Sequence, residues 1–316
     1  MLIIFKIADL YIVLRKRSVI YLKKYRKEFL KMTHSEYNSL PKSEIGKGCE
    51  IVLDRCDTEH DLYWKMAIEV LEVIEENNKK GEPTVMVVPY GPLGPYSRLV
   101  YLVNKYRVSL KNCVFINMDE YIGEDGQYID YNSPLSFRGG MDRIFYSLID
   151  EELNVLPENR FFPEPGNEGK VMEIIEKYGK LDMAWGGVGI NGHFAFNEPP
   201  EPGEVCSNEE FLNRATRVLP ISRETKTINC FMNCGGDLEG IPKLCITVGM
   251  KEMFMAKKVR MCMPRDWNAG ALRRLLHGDI TAAVPCSLFR LHPDAKLYAA
   301  DVALTSPIPE IRVYNK

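Results

Sequence analysis

His193 and Glu198 lie close together in a glycine-rich stretch, Gly186-Gly187-Val188-Gly189-Ile190-Asn191-Gly192-His193-Phe194-Ala195-Phe196-Asn197-Glu198-Pro199. Imidazole is the side chain whose ordinary pKa lies nearest neutrality, and a neighbouring carboxylate raises that pKa and fixes the tautomer. The pair therefore reads as an acid/base group, with Glu198 holding His193. Asn191, two residues before the histidine, can hydrogen-bond but cannot hold a proton at neutral pH. A second motif, Val114-Phe115-Ile116-Asn117-Met118-Asp119-Glu120-Tyr121, is an apolar run that ends in two acids. A carboxylate there that faces a mostly apolar pocket has its pKa raised toward the range needed to take a proton from carbon next to a carbonyl. Each motif alone also fits a bland role, a histidine capping a turn or an acid capping a helix. Together they are far more specific.

Chemistry of this kind needs elements that bring the two motifs to one place. The run 181–185 reads as a short buried strand, and glycine then lets the chain turn at the strand's C-terminal edge, where open α/β sheets bind ligands. That puts Gly187, Gly189 and Gly192 at the ligand. The run 114–118 reads as a buried parallel strand that delivers Asp119 and Glu120 to the same edge. Apolar spacing predicts a helix over 61–78 with a start signal at Asp57-Thr58, and a first strand over 84–88. Helices are expected over 99–106, 141–149, 170–178 and 269–276, between strands at Val114, Met183, Leu244 and Val259. The alternation predicts an α/β fold: a single Rossmann-like domain whose parallel-rich sheet is covered by helices on both faces. Its expected extent is 49–316, after a basic amphipathic extension and polar linker over 1–48.

From about 50 to about 304 the chain resembles the glucosamine-6-phosphate deaminase/isomerase family, which shares its fold with the 6-phosphogluconolactonases. Asn117-Met118-Asp119-Glu120-Tyr121, the stretch from Gly186 to Pro199, Ile246-Thr247-Val248-Gly249-Met250 and Leu291-His292-Pro293 carry the resemblance. Asn197-Glu198-Pro199 resembles the deaminase branch. The resemblance implies that Asp119 moves the C1/C2 proton of an open-chain sugar through an enediol or enolamine, that His193 helps open the pyranose ring, and that Glu198 tunes His193. No cofactor is implied, because the substrate carbonyl itself delocalises the carbanion.

The chain also departs from the family pattern. Asn191 stands where the family has an aspartate. The family's threonine- and glycine-rich phosphate turn is here Pro89-Tyr90-Gly91-Pro92-Leu93-Gly94-Pro95-Tyr96-Ser97, and each proline removes a backbone N–H donor. Asn268 falls where a lysine is expected and Phe231 where an arginine is expected. Loss of such charge-assisted contacts costs about 1.5–3 kcal/mol each. The remaining expected contacts to substrate are Glu120, Asn268 and backbone groups near Gly91 and Gly94, with Ser97, Arg98 and Arg265; Arg265 lies close enough in sequence to substitute for the cation missing at Asn268, and Lys226, Arg223 and Arg98 are weaker candidates.

Composition fits an ordinary globular protein: 316 residues, 46% hydrophobic and 27% charged, with a net charge of −2. That balance gives no basic footprint for nucleic acid. The 9 cysteines are scattered, which favours buried thiols in a reducing cytoplasm over a disulfide framework, and no paired CxxC supports a metal site. Residues 1–31 mix short apolar runs with basic clusters, too charged to span a bilayer, and contact with a membrane surface is not the favoured reading. Translation from Met32, or an extra helix packed on the domain, explains the segment more simply. The expected partner is a small-molecule sugar or sugar phosphate, and a homo-oligomer is compatible with the sequence. Two alternatives to the isomerase stay open: a family member without turnover that binds a sugar or regulates, and an isomerase for a substrate lacking the 6-phosphate.

Overall fold

The computed structural model describes residues 32–312, so the basic amphipathic segment expected over 1–31 lies outside the described residues. Seven strands form one sheet: β1 (Val52–Cys56), β2 (Thr84–Val88), β3 (Cys113–Asn117), β5 (Arg160–Phe161), β6 (Leu181–Gly187), β9 (Ala256–Met263) and β10 (Ala295–Ala300). Their order is β1-β10-β9-β6-β2-β3-β5, and every pairing is parallel. Three short strands, β4 (Asp119–Ile122), β7 (Arg217–Pro220) and β8 (Leu244–Thr247), make a separate antiparallel sheet in the order β4-β8-β7.

Side chains alternate between the two faces of a strand, so a parallel sheet covered on both faces needs apolar residues at most positions. Val85 and Val87 enter one core with Val114, Ile116, Val259, Met261 and Leu297. Met86 and Val88 enter the other with Phe115, Met183, Trp185, Cys262 and Tyr298. Helices α2 (Glu59–Lys80) and α3 (Gly94–Tyr106) cover the second face, with α4 (Phe137–Ile144) contributing Met141. Helix α5 (Lys170–Tyr178) covers the first through Val171, Ile174 and Ile175, together with the later α9 (Ala269–His277) through Leu272, Leu275 and Leu276. The start of α2 is set by a capping box: Thr58 Oγ1 accepts from Asp61 N at 3.1 Å, and Asp61 Oδ2 accepts from Thr58 N at 3.1 Å.

The parallel sheet with helices on both faces is as the sequence led us to expect, but three local expectations are corrected. The strand at Leu244 belongs to the small antiparallel sheet and not to the parallel one. The run through Met118 is two strands, because the chain leaves the main sheet after Asn117 and joins β8 from Asp119 onward. The polar stretch 33–48 is not a free linker. Its helix α1 (His34–Ser39) is held by Arg273, whose guanidinium donates to the carbonyls of Tyr37 (2.8 Å), Leu40 (2.9 Å) and Leu304 (3.0 Å). Arg273 is fully buried, so these carbonyls replace the water it gives up.

After β2 the chain moves to β3 on one side, and after β6 it moves to β9 on the other. Strands β2 and β6 are neighbours, so the topological switch point lies between their carboxyl ends. A crevice forms there in open parallel sheets.

Candidate active site

The loops that follow β2 and β6 both line a cavity of about 500 Å³ at that switch point. Asp119, His193, Gly91, Gly94, Gly187, Gly189, Arg265 and Asn268 all contribute to its wall. The acid and the imidazole singled out from the sequence thus meet in one cavity. Tyr121, Phe137 and Phe196 also line it, and their rings pack on one another.

The loop carrying His193 is fixed by its backbone. Gly189 N donates to His193 O at 3.0 Å and Gly192 N donates to Gly189 O at 3.0 Å, closing a tight turn. A Cβ on Gly189 would lie 2.0 Å from His193 Cε1, so only glycine lets the imidazole lie over this backbone. Asn197, fully buried, donates to the carbonyls of Phe194 (3.1 Å) and Val248 (2.9 Å), and accepts from Arg217 Nη1 at 3.0 Å. It ties the loop to the small sheet.

Behind the imidazole lies a network whose proton positions follow from what each group can do. Glu198 Oε2 can only accept, and it takes Asn191 Nδ2 at 2.8 Å. Asn191 Oδ1 then faces the backbone N of His193 at 3.1 Å and its Nδ1 at 2.8 Å. The oxygens of Asn191 and Glu198 (3.3 Å) near Nδ1 are acceptors, so Nδ1 carries the hydrogen and the neutral ring keeps its lone pair on Nε2. Thr225 Oγ1, 3.0 Å from Nδ1, is itself held by Ser222 Oγ at 3.0 Å. Burial raises the Glu198 carboxyl, but the charge and hydrogen bond of His193 and the bonds from Asn191 and Thr225 outweigh it and hold the pKa at about 2. Asn191 and Glu198 lie behind His193, outside the cavity wall.

Asp119 begins β4 opposite Thr247 of β8. Burial, and secondly the charge of Glu120, push its carboxyl well above the usual range. Glu120, expected as a substrate contact, points elsewhere. Fully buried, its carboxylate accepts from Ser136 Oγ (2.9 Å), Phe137 N (3.0 Å) and Arg138 N (2.8 Å), which anchors the N-terminus of α4.

The expected phosphate contacts are only partly brought together. Gly94 lines the cavity for a steric reason, since a Cβ there would meet the Tyr63 ring at 2.1 Å. Ser97 is outside the wall and donates to Gly94 O at 3.2 Å, and Gly192 likewise lies in the turn behind the surface. Arg98 donates to the same Gly94 carbonyl at 3.0 Å. Asn268 is fully buried; its Oδ1 accepts from Arg265 N and its Nδ2 donates to Val188 O, at 3.0 Å each. Phe231 does not face the cavity: it is 72% exposed on α7, the helix Arg223–Asn233, by the element order after α6 (Asn208–Leu212). Ile228, Asn229, Met232 and Asn233 of that helix line the wall instead.

Sequence reasoning missed Ser222, Thr225 and Glu59. Ser222 is the N-cap of α7, accepting from Thr225 N at 3.2 Å, so the Ser222-to-Thr225 spacing was a usable helix-start signal. Glu59, at the first position of α2, meets Arg265 across the fold, and no local pattern marks that contact. Among the described residues no group of three or more His, Cys, Asp or Glu could hold a metal ion, all nine cysteines are free thiols, and no helix is long and apolar enough to cross a membrane.

An open parallel sheet with a buried carboxyl and an oriented imidazole at its switch point defines an α/β protein equipped for proton transfer. No family model matches the chain. Among curated proteins it is 35% identical over 217 residues to the glucosamine-6-phosphate deaminase of Aeromonas hydrophila subsp. hydrophila, covering 67% of this chain and 75% of that one. It is 29% identical over 256 residues to that of Thermoanaerobacter pseudethanolicus, covering 78% and 93%. A solved monomeric glucosamine-6-phosphate deaminase superposes with a TM-score of 0.69 at 24% identity, over 80% of this chain and 98% of that one. The 6-phosphogluconolactonase of Trypanosoma brucei shares the fold with a TM-score of 0.54 at 15% identity, over 81% and 98%. The chain belongs to the glucosamine-6-phosphate deaminase family.

Proposed function

We propose that this protein is an aldose–ketose isomerase of amino-sugar phosphates that releases ammonia, with glucosamine 6-phosphate as substrate. The observation that carries the reading is the meeting of Asp119 and His193 on one cavity wall, with the Asn191–Glu198 network orienting the imidazole from behind. His193 Nε2 exchanges a proton with the sugar's ring oxygen as the pyranose opens. The Asp119 carboxylate takes the proton from C2, forming an enolamine, and returns it to C1. The resulting C2 imine adds water and loses ammonia, leaving the ketose phosphate. Burial disfavours the charged form of Asp119, and the ammonium on C2 of an amino sugar supplies the counter-charge that favours it. That is a physical reason for a buried acid to prefer an amino sugar over a neutral one.

Incubation of the protein with glucosamine 6-phosphate, with ammonia and ketose phosphate followed together, tests the reading. Equal amounts of the two products are expected. Binding without either product would favour the non-catalytic alternative.

A further inference from the structure

A sugar phosphate must find positive charge in this cavity, and the wall offers little. Arg265 is the one lysine or arginine among the described residues that line it. Its Nη1 lies 2.7 Å from Glu59 Oε2, a carboxylate on the same wall. Tyr63 Oη donates to that oxygen at 3.3 Å, so Glu59 is held in place from a second side. Asn268, bonded to Arg265 N through its Oδ1, is uncharged and fully buried, and its Nδ2 donates to Val188 O at 3.0 Å. Pro89 and Pro92 in the facing loop have no N–H.

We propose that Glu59 is a specificity residue that competes with the substrate's phosphate for Arg265. The proposal rests on the reading above, that a sugar phosphate occupies this cavity. A phosphate reaching Arg265 either displaces Glu59 or shares the guanidinium with it, and in both cases a fixed carboxylate stands beside a dianion. The side chains of Arg265 and Glu59 are 50% and 31% exposed, so the guanidinium can turn to a ligand without opening the core. An arginine fork has donors enough to hold two oxyanions, but the repulsion between them remains. Glu59 thereby keeps the affinity for a phosphorylated sugar below what Arg265 alone would give, and narrows the preference for it over the unphosphorylated sugar.

Calorimetric titration of the full chain with glucosamine 6-phosphate and with glucosamine tests this directly. Glu59→Gln keeps the side chain's shape and an oxygen for Tyr63 while removing the charge. It should tighten glucosamine 6-phosphate by about tenfold or more and leave glucosamine within about twofold, an effect that fades with added salt. In Glu59→Gln/Arg265→Ala the gain over Arg265→Ala should vanish. The proposal is overturned if Glu59→Gln binds the phosphorylated sugar no tighter than wild type, or fails to bind it. It is overturned equally if both sugars gain alike, or if the gain survives without Arg265. Turnover by the wild type is read separately, so failure of the isomerase reading is distinguished from failure of the role given to Glu59.

Discussion

Acid should destabilise this protein through Glu198, and Glu198→Gln should remove that part of the response. The native carboxyl is held at about 2 against an ordinary 4.5. Two and a half pKa units at about 1.4 kcal/mol each make ~3 kcal/mol of stability. The sign follows from proton binding: between the two pKa values the unfolded chain holds the proton and the native one does not. The contribution is therefore complete above about pH 4.5 and is lost as pH falls toward 2, with about 2 kcal/mol gone by pH 3. A domain of this kind has roughly 5–15 kcal/mol in total, so the loss is readily measured. Urea unfolding followed by circular dichroism, in steps from pH 7 to pH 3, gives stability against pH for both proteins. The wild-type curve should fall more steeply than that of Glu198→Gln by about 2 kcal/mol across this interval. Parallel curves would refute the reasoning, because they would mean that His193, Asn191 and Thr225 do not favour the ionised carboxylate.

Two further substitutions probe the same site. Asn191→Asp replaces the donor 2.8 Å from Glu198 Oε2 by an oxygen, so two carboxylates must share a proton. Its stability should fall by about 1–3 kcal/mol relative to wild type, more at pH 8 than at pH 5, and an unchanged unfolding profile would show that the amide is not needed. Gly189→Ala places a methyl 2.0 Å from the imidazole, so the ring must move. Steady-state assays should show kcat falling by about a hundredfold with little change in unfolding midpoint, and full activity would mean that the position of His193 is not critical.

The parallel sheet was legible because strands buried on both faces read as mostly apolar runs, as at 84–88 and 181–185. The meeting of Asp119 with His193 was legible because both follow such runs at their carboxyl ends. The break at Met118 was not: residues 113–122 are all buried, and no glycine or proline marks the change of sheet. Glu120 looked like a ligand contact because its partners, Ser136 to Arg138, lie beyond an intervening loop. Residues 33–48 looked like a linker because they are polar, and what packs α1 down is Arg273, far along the chain. The pairing of Glu59 with Arg265 was hidden for the same reason. Local pattern reveals elements and their edges, whereas ion pairs and caps between distant segments need the fold.

The central claim is that Asp119 moves the substrate's C2 proton, and isotope exchange tests it most directly. In deuterated water the wild type should incorporate deuterium into the C2 position of recovered glucosamine 6-phosphate or the C1 position of the ketose product, as nuclear magnetic resonance reads. Asp119→Asn should bind the sugar and incorporate none. Exchange at the wild-type rate in Asp119→Asn would contradict the account.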